Sequence, residues 1–241
     1  MKKFNWINVK LILMVALVLF LFSFTSKRNE ARKLKKTVVE FVDESSPFIT
    51  EEAVNKLLIE NNSTPTSIEK DKLDLNELEK KLDAHKMIQK CEVFVSVDGV
   101  LKAVVKQKTP VARVFSGQGS FYVDYEGHKM PLSENYTARV PIVSGGISAK
   151  NSKDLTKLFC YIHDDDFLKK NIIGIEIMPN GGVKMRNRNF DYVIDFGKTI
   201  NVERKFKNYK AFFQKAVQDS LINKYKTVNL KFTQQVVCTK N

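Results

Sequence analysis

Apolar and polar positions along the chain fall into three regimes: one unbroken apolar run, a stretch where helical and strand periods alternate, and a longer mixed region. Leu11 to Phe22 is wholly apolar, and with interruptions at Asn8, Lys10 and Ser23 the run extends from Trp6 to Phe24. As a helix rising about 1.5 Å per residue, the longer span reaches roughly 28 Å, close to the hydrocarbon thickness of a bilayer. Thr37 to Val42 is strand-like, and Thr50 caps a predicted helix to Ile59. In that helix Glu51 and Glu52 complement the dipole, and Val54, Leu57 and Leu58 form the inner face. Asn61 to Lys72 reads as a polar loop. Asp74 and Glu77 then have capping-box spacing, and Leu75, Leu78 and Leu82 recur at helical intervals. After Lys90 the period changes to two. Val93, Val95 and Val97 alternate with polar neighbours and Phe94, Asp98-Gly99 supplies the positive-φ pair of a tight turn, and Leu101, Ala103 and Val105 alternate back. Pro110 is expected to end that strand, closing a first domain at about Arg113.

The rest of the chain predicts strands joined by turn chemistry, with two long helices. Phe121 to Tyr125 is a strand, Glu126-Gly127 a turn, and His128 to Leu132 the return. Arg139 to Gly146 is extended and expected to stay out of a central position because of Pro141. Leu155, Leu158, Phe159 and Ile162 share one face of a helix over Lys153 to His163. Ile172 to Met178, Val183 to Arg186 and Tyr192 to Phe196 read as sheet strands, the first two joined by Pro179-Asn180-Gly181-Gly182. A helix over Val202 to Leu221 is expected to bury Phe206, Tyr209, Phe213, Ala216 and Val217, and Val228 to Cys238 to close the chain as one strand.

Charge sharpens the membrane reading. The net charge is +13, but residues 1–36 carry nine basic groups against Glu30 alone, which leaves the remaining 205 residues at +5. Basic residues flanking an apolar span suit anionic head groups of a lipid bilayer; they lack the interleaved aromatics of a nucleic-acid groove, so no nucleic-acid partner is expected. An uncleaved anchor fits better than a signal peptide, because Phe22-Ser23-Phe24-Thr25-Ser26 offers a poor small-x-small site. Orientation stays open on charge: Lys2 and Lys3 favour a cytoplasmic start, while the basic residues from Lys27 to Lys36 pull that side inward. Cys91, Cys160 and Cys238 are too few for a disulfide framework and read as small buried hydrophobes.

Catalytic patterns are weak. Gly197-Lys198-Thr199 mimics the end of a phosphate-binding loop, but Tyr192 stands where the loop needs glycine. Ser67-Ile68-Glu69-Lys70 fits S-x-x-K without its companion motifs, and Ser133-Glu134-Asn135 only approaches Ser-Asp-Asn. A membrane-tethered cell-wall enzyme using Ser67 and Lys70 is the alternative these residues would carry. His163-Asp164-Asp165-Asp166 could hold a divalent cation, though a solvated acidic helix end is the simpler reading. No catalytic, cofactor-binding or metal site is assigned, and the chain is not expected to be an enzyme.

The order strand, helix, helix, hairpin over 37–113 resembles a POTRA domain, a β-α-α-β-β docking fold. That domain ends in Thr109-Pro110-Val111-Ala112 and is followed by Phe121-Tyr122-Val123-Asp124 with Glu126-Gly127, and by Val140-Pro141-Ile142-Val143-Ser144-Gly145. Val193-Ile194-Asp195-Phe196-Gly197 and Tyr225 to Phe232 complete the pattern, and the whole resembles the bacterial cell-division family FtsQ/DivIB. The resemblance implies an α+β chain: a short tail (1–8), a single transmembrane helix (9–26), a basic stem (27–36), a POTRA-like domain (37–113), and a second mixed α/β domain with a mostly antiparallel sheet (114–241). It also implies an inner-membrane protein, amino terminus inside and bulk periplasmic, enriched at the division site. There it would scaffold the divisome by adding a strand of an FtsB-like partner, itself bound to an FtsL-like one, to its C-terminal strand. Lys231, Phe232, Gln234, Gln235 and Val236 are the residues so implicated, with Phe232 standing where some members have tyrosine and Gln234 where some have serine. A POTRA-bearing secretion or assembly component is a further alternative, but such proteins usually repeat the domain, and no repeat occurs here.

Overall fold

The computed structural model describes residues 6–30, 33–43, 47–59, 73–117, 119–148 and 151–240. Ser67 and Lys70 lie outside the described residues, as does all of the polar loop Asn61 to Lys72. Helix α1 (Trp6–Glu30) carries the apolar run, and within it Val9–Ser26 has a mean hydropathy of 2.3 with none of the window buried. A helix apolar on all sides with no protein cover is long enough to cross a membrane once.

The chain beyond it forms two compact units. The first holds β1 (Lys36–Phe41), α2 (Glu51–Leu58), α3 (Leu75–Asp83), β2 (Ile88–Val95) and β3 (Val100–Gln107), the expected β-α-α-β-β order. Strand β3 is central, parallel to β1 and antiparallel to β2. Thr50 accepts from the N–H of Ala53 and Asp74 from that of Glu77, so both helices start where their capping residues stand. Leu101, Ala103 and Val105 of β3 are fully buried against Val54 and Leu82 of the two helices. The turn differs from expectation. It spans Ser96 to Gly99, with the Ser96 carbonyl accepting from the Gly99 N–H, and Gly99 alone has positive φ, at +82°. Val97 therefore sits in the turn, 74% exposed, instead of continuing the strand alternation. Glycine is required at 99, because a Cβ there would lie 2.9 Å from the Lys33 carbonyl oxygen.

The second unit takes up Lys108 onward, together with residues 46–48. Its strands are β4 (Pro110–Ser116), β5 (Gly119–Asp124), β6 (Lys129–Met130), β7 (Ile142–Gly145), β8 (Ile172–Ile177), β9 (Val183–Asn187), β10 (Val193–Gly197), β11 (Tyr225–Asn229) and β12 (Val237–Lys240). They form one sheet in the order β12-β11-β10-β9-β8-β7-β4-β5-β6, antiparallel except at β4–β7, β7–β8 and β10–β11. Two proline readings are corrected. Pro110 opens β4 instead of closing a strand, and Pro141 stands just before β7, which is a central strand between β4 and β8. A proline one residue outside a strand removes no ladder donor, and its carbonyl still accepts from the N–H of Arg113.

Helices α4 (Ser152–Asp164), α5 (Asp166–Asn171) and α6 (Val202–Gln218) complete the unit, α5 being a short element the periodicity did not reveal. Leu155, Leu158, Phe159 and Ile162 of α4 and Phe206, Tyr209 and Ala216 of α6 share one core with the sheet. Val217, expected inside, is instead 43% exposed in the last turn of α6, beside the buried Ala216. Phe48 joins this unit from far upstream, packing edge-on to Tyr122 and Tyr136.

Candidate protein-docking edge

The end of the chain departs most from its sequence reading. Val228 to Cys238 is not one strand: β11 stops at Asn229, Leu230 to Val236 reverses direction, and β12 runs back antiparallel on β11 with Asn229 opposite Val237 and Val228 opposite Cys238. Among the described residues, strand β12 is an edge of the nine-stranded sheet, paired on one side only. The opposite edge, β6, has only two residues and is followed by Pro131, so it offers little to pair with.

None of the five residues singled out from the sequence lies in a strand. Lys231, Phe232, Gln234 and Gln235 are exposed in the connection, Phe232 at 52%, and Val236 is half-buried against the core. The structure thus brings the five together as the loop leading into the edge strand, with Val237 and Thr239 exposed along the strand itself.

That loop contains no glycine or proline, and residues elsewhere hold its turn. The Lys231 ammonium pairs with Asp195 of β10 at 2.6 Å, and the Asp195 carbonyl accepts from the N–H of Leu230 at 2.9 Å. Asn229 Oδ1 accepts from the Lys231 N–H, and Asn208 Nδ2 of α6 donates to the Thr233 carbonyl at 3.0 Å. Gly197 makes room: its φ is +69°, and a Cβ there would lie 2.7 Å from Lys231 Cγ. Asp195, Gly197 and Asn208 are the residues that sequence reasoning missed. The first two stand two apart in the Val193–Gly197 motif, which is the one signal that marked the place.

Under the loop the core is polar at two points. Lys205 is 1% exposed, and its ammonium donates to the carbonyls of Phe196 (2.9 Å) and Lys198 (2.8 Å) while lying 4.5 Å from the Phe196 ring centroid. Burial lowers its pKa from the ordinary lysine value, and Asp195 acts in the opposite sense. A cleft of about 560 Å³ beside it is lined by Asp195, Ile200, Lys184, Lys198 and Lys231. Further along, Tyr192 and Tyr209 share a hydroxyl hydrogen bond of 2.8 Å and Asn187 donates to Tyr209. Each buried hydroxyl thereby keeps a partner, as a low-dielectric site demands. The Cys238 thiol of β12 is pushed up by burial, and that of Cys91 in β2 up to about 12 for the same reason.

The acidic run at 163–166 has structural work instead. Asp164 accepts from the Tyr125 hydroxyl at 2.6 Å, and Asp165 caps α5 through the Leu168 N–H and pairs with Lys210. Among the described residues no group of three or more potential metal ligands occurs. Gly197 ends β10 and Lys198-Thr199 bends away from it, with the Lys198 carbonyl accepting from the Lys205 ammonium.

Comparison with known proteins agrees with this architecture. A POTRA-like domain model matches residues 34–106, and a model described as FtsQ/DivIB, C-terminal related, matches residues 109–239. Among solved structures the chain is similar to the major extracytoplasmic domain of the trans isomer of the cell-division protein DivIB from Geobacillus stearothermophilus. Identity is 13% with a TM-score of 0.30, over 47% of this chain and 95% of that one. No curated protein matches the chain. With the C-terminal family model spanning more than half of its length, the protein belongs to the FtsQ/DivIB family of bacterial cell-division proteins.

Proposed function

We propose that this protein is a divisome scaffold that captures an extended segment of an FtsB-like protein, and through it an FtsL-like one, by strand addition at β12. The observation that carries the reading is the one-sided pairing of the last strand in the sheet. An unpaired strand edge presents alternating N–H and C=O groups, so an incoming strand gains main-chain hydrogen bonds while neighbouring side chains select its sequence. Phe232, Gln234 and Gln235 stand exposed at the entry to that edge, and Lys231 adds a basic group held in place by Asp195.

The family match makes a part in bacterial cell division the expected role, and one helix apolar enough to span a bilayer among the described residues, with bulky domains after it, fits a single-pass membrane protein. In the proposed arrangement α1 spans the inner membrane with the amino terminus inside, both units lie on the periplasmic side, and the chain concentrates at the septum. The basic residues after the span contact anionic lipid.

The test uses the full-length protein in detergent and a synthetic FtsB-like peptide. Phe232→Glu and Val236→Pro are expected to weaken peptide binding at least tenfold while circular dichroism of the protein stays unchanged, because proline removes a donor and a carboxylate resists desolvation. Wild-type affinity in both folded variants would place the docking surface elsewhere. Live-cell imaging of a fluorescent fusion tests the septal assignment; uniform membrane fluorescence would overturn it.

A further inference from the structure

In the first unit a sheet edge is treated in the opposite way. Strand β2 is one of the two outer strands of its three-stranded sheet, so every second backbone N–H points away from β3. Two of these outward donors are already taken by side chains of α3. The Cys91 N–H donates to Asp83 Oδ1 at 2.7 Å, and the Val93 N–H donates to Glu79 Oε1 at 2.8 Å.

The match follows from two repeat lengths. Glu79 and Asp83 are four residues apart on a helix, about 6 Å along its axis at 1.5 Å per residue. Cys91 and Val93 are two apart on a strand, about 6.8 Å. A helix laid beside the strand therefore sets its carboxylates opposite successive outward amides, and each bond is strengthened by the acceptor's charge. Side chains of the same strand lock the geometry from below, since Cys91 and Val93 are both buried in the core that Leu82 of α3 also enters.

We infer that Glu79 and Asp83 are specificity-determining residues which close the β2 edge to extended partners. An incoming strand must strip both amides from carboxylates that are already in register, and it would leave two negative charges facing its own backbone carbonyls. This edge of the POTRA-like unit is in this way shut, whatever binds at β12.

Amide hydrogen exchange and sedimentation of the full-length protein in detergent test the inference. Glu79→Ala is expected to speed exchange of the Val93 amide at least tenfold and leave Cys91 protected; Asp83→Ala should release Cys91 and leave Val93. This one-to-one pattern separates lost acceptors from general destabilisation, which would speed both amides together. The Glu79→Ala/Asp83→Ala pair should also gain concentration-dependent association beyond wild type, because a bare edge pairs with another copy. The Glu79→Gln/Asp83→Asn pair keeps a neutral acceptor at each place and should fall between wild type and the alanine pair in both exchange and association. Unchanged exchange in both folded single variants would overturn the inference, and so would a folded alanine pair with fast exchange but no added association.

Discussion

Two hairpins of this chain are built on different principles. The β2–β3 hairpin turns within Ser96 to Gly99 on contacts that are almost all local: Ser96 accepts from Gly99 through its carbonyl and from Val100 through its hydroxyl. The β11–β12 hairpin turns through Leu230 to Val236, and its fastenings reach Asp195 and Asn208, tens of residues upstream. A turn written into four adjacent residues is rigid and cheap to form. A turn held from neighbouring elements exists only once they are folded, and it leaves its own side chains free to face a partner. The difference teaches where recognition can sit: Phe232, Gln234 and Gln235 are exposed because Lys231, Asn229 and the upstream residues do the holding.

Breaking the local hairpin should be the more costly. Leu101→Ala removes a fully buried side chain from the central strand of the first unit and should lower stability by about 2–5 kcal/mol, read from urea unfolding. Gly99→Ala comes next. The left-handed backbone alone costs about 1–2 kcal/mol for a residue with a Cβ, and the contact at 2.9 Å with the Lys33 carbonyl adds to it; equilibrium unfolding that matches wild type would mean the turn carries no strain.

Asp195→Ala sharpens the contrast. Lys231 is half-exposed, so global stability should fall by no more than about 1 kcal/mol. Amides of Val237 to Lys240 should nonetheless exchange several-fold faster, and peptide binding should fall with them, while β2 and β3 keep their protection. The smallest effect belongs to the surface of the first hairpin. The hydrogen bond from Lys90 to Glu92, and the attraction that goes with it, hold the Glu92 carboxyl below its ordinary 4.5 and raise the Lys90 ammonium above its ordinary 10.5. Whatever the pair contributes is present between those two values. It is lost as pH falls through the depressed Glu92 pKa, or as it rises through the elevated Lys90 pKa. Carbon-detected titration of Glu92 should move to higher pH in Lys90→Ala, with no change in the unfolding midpoint at neutral pH.

Much of the fold was legible because its signals are short-range. Thr50 and Asp74 marked helix starts through their own side chains, and the period-two alternation around Leu101, Ala103 and Val105 identified the buried face of a strand. Where reading failed, the deciding contact was remote. Pro141 argued against a central strand, yet β7 begins one residue later, and only its neighbours β4 and β8 make it central. Val228 to Cys238 alternates well enough to read as one strand, and nothing in Lys231-Phe232-Thr233-Gln234-Gln235 announces a reversal. The candidate residues were thus misread in shape, forming a connection where a strand was expected.

From sequence alone came the long apolar helix, the β-α-α-β-β order of the first unit, the strand-rich second unit and the family, because period, caps and composition act over a few residues and survive without context. Tertiary structure decided which strands are edges, which of those are open, and where the chain turns back. Edges are a property of the assembled sheet: β12 lies at the margin of its sheet, while two outward amides of β2 are taken because α3, with Glu79 and Asp83, packs beside them.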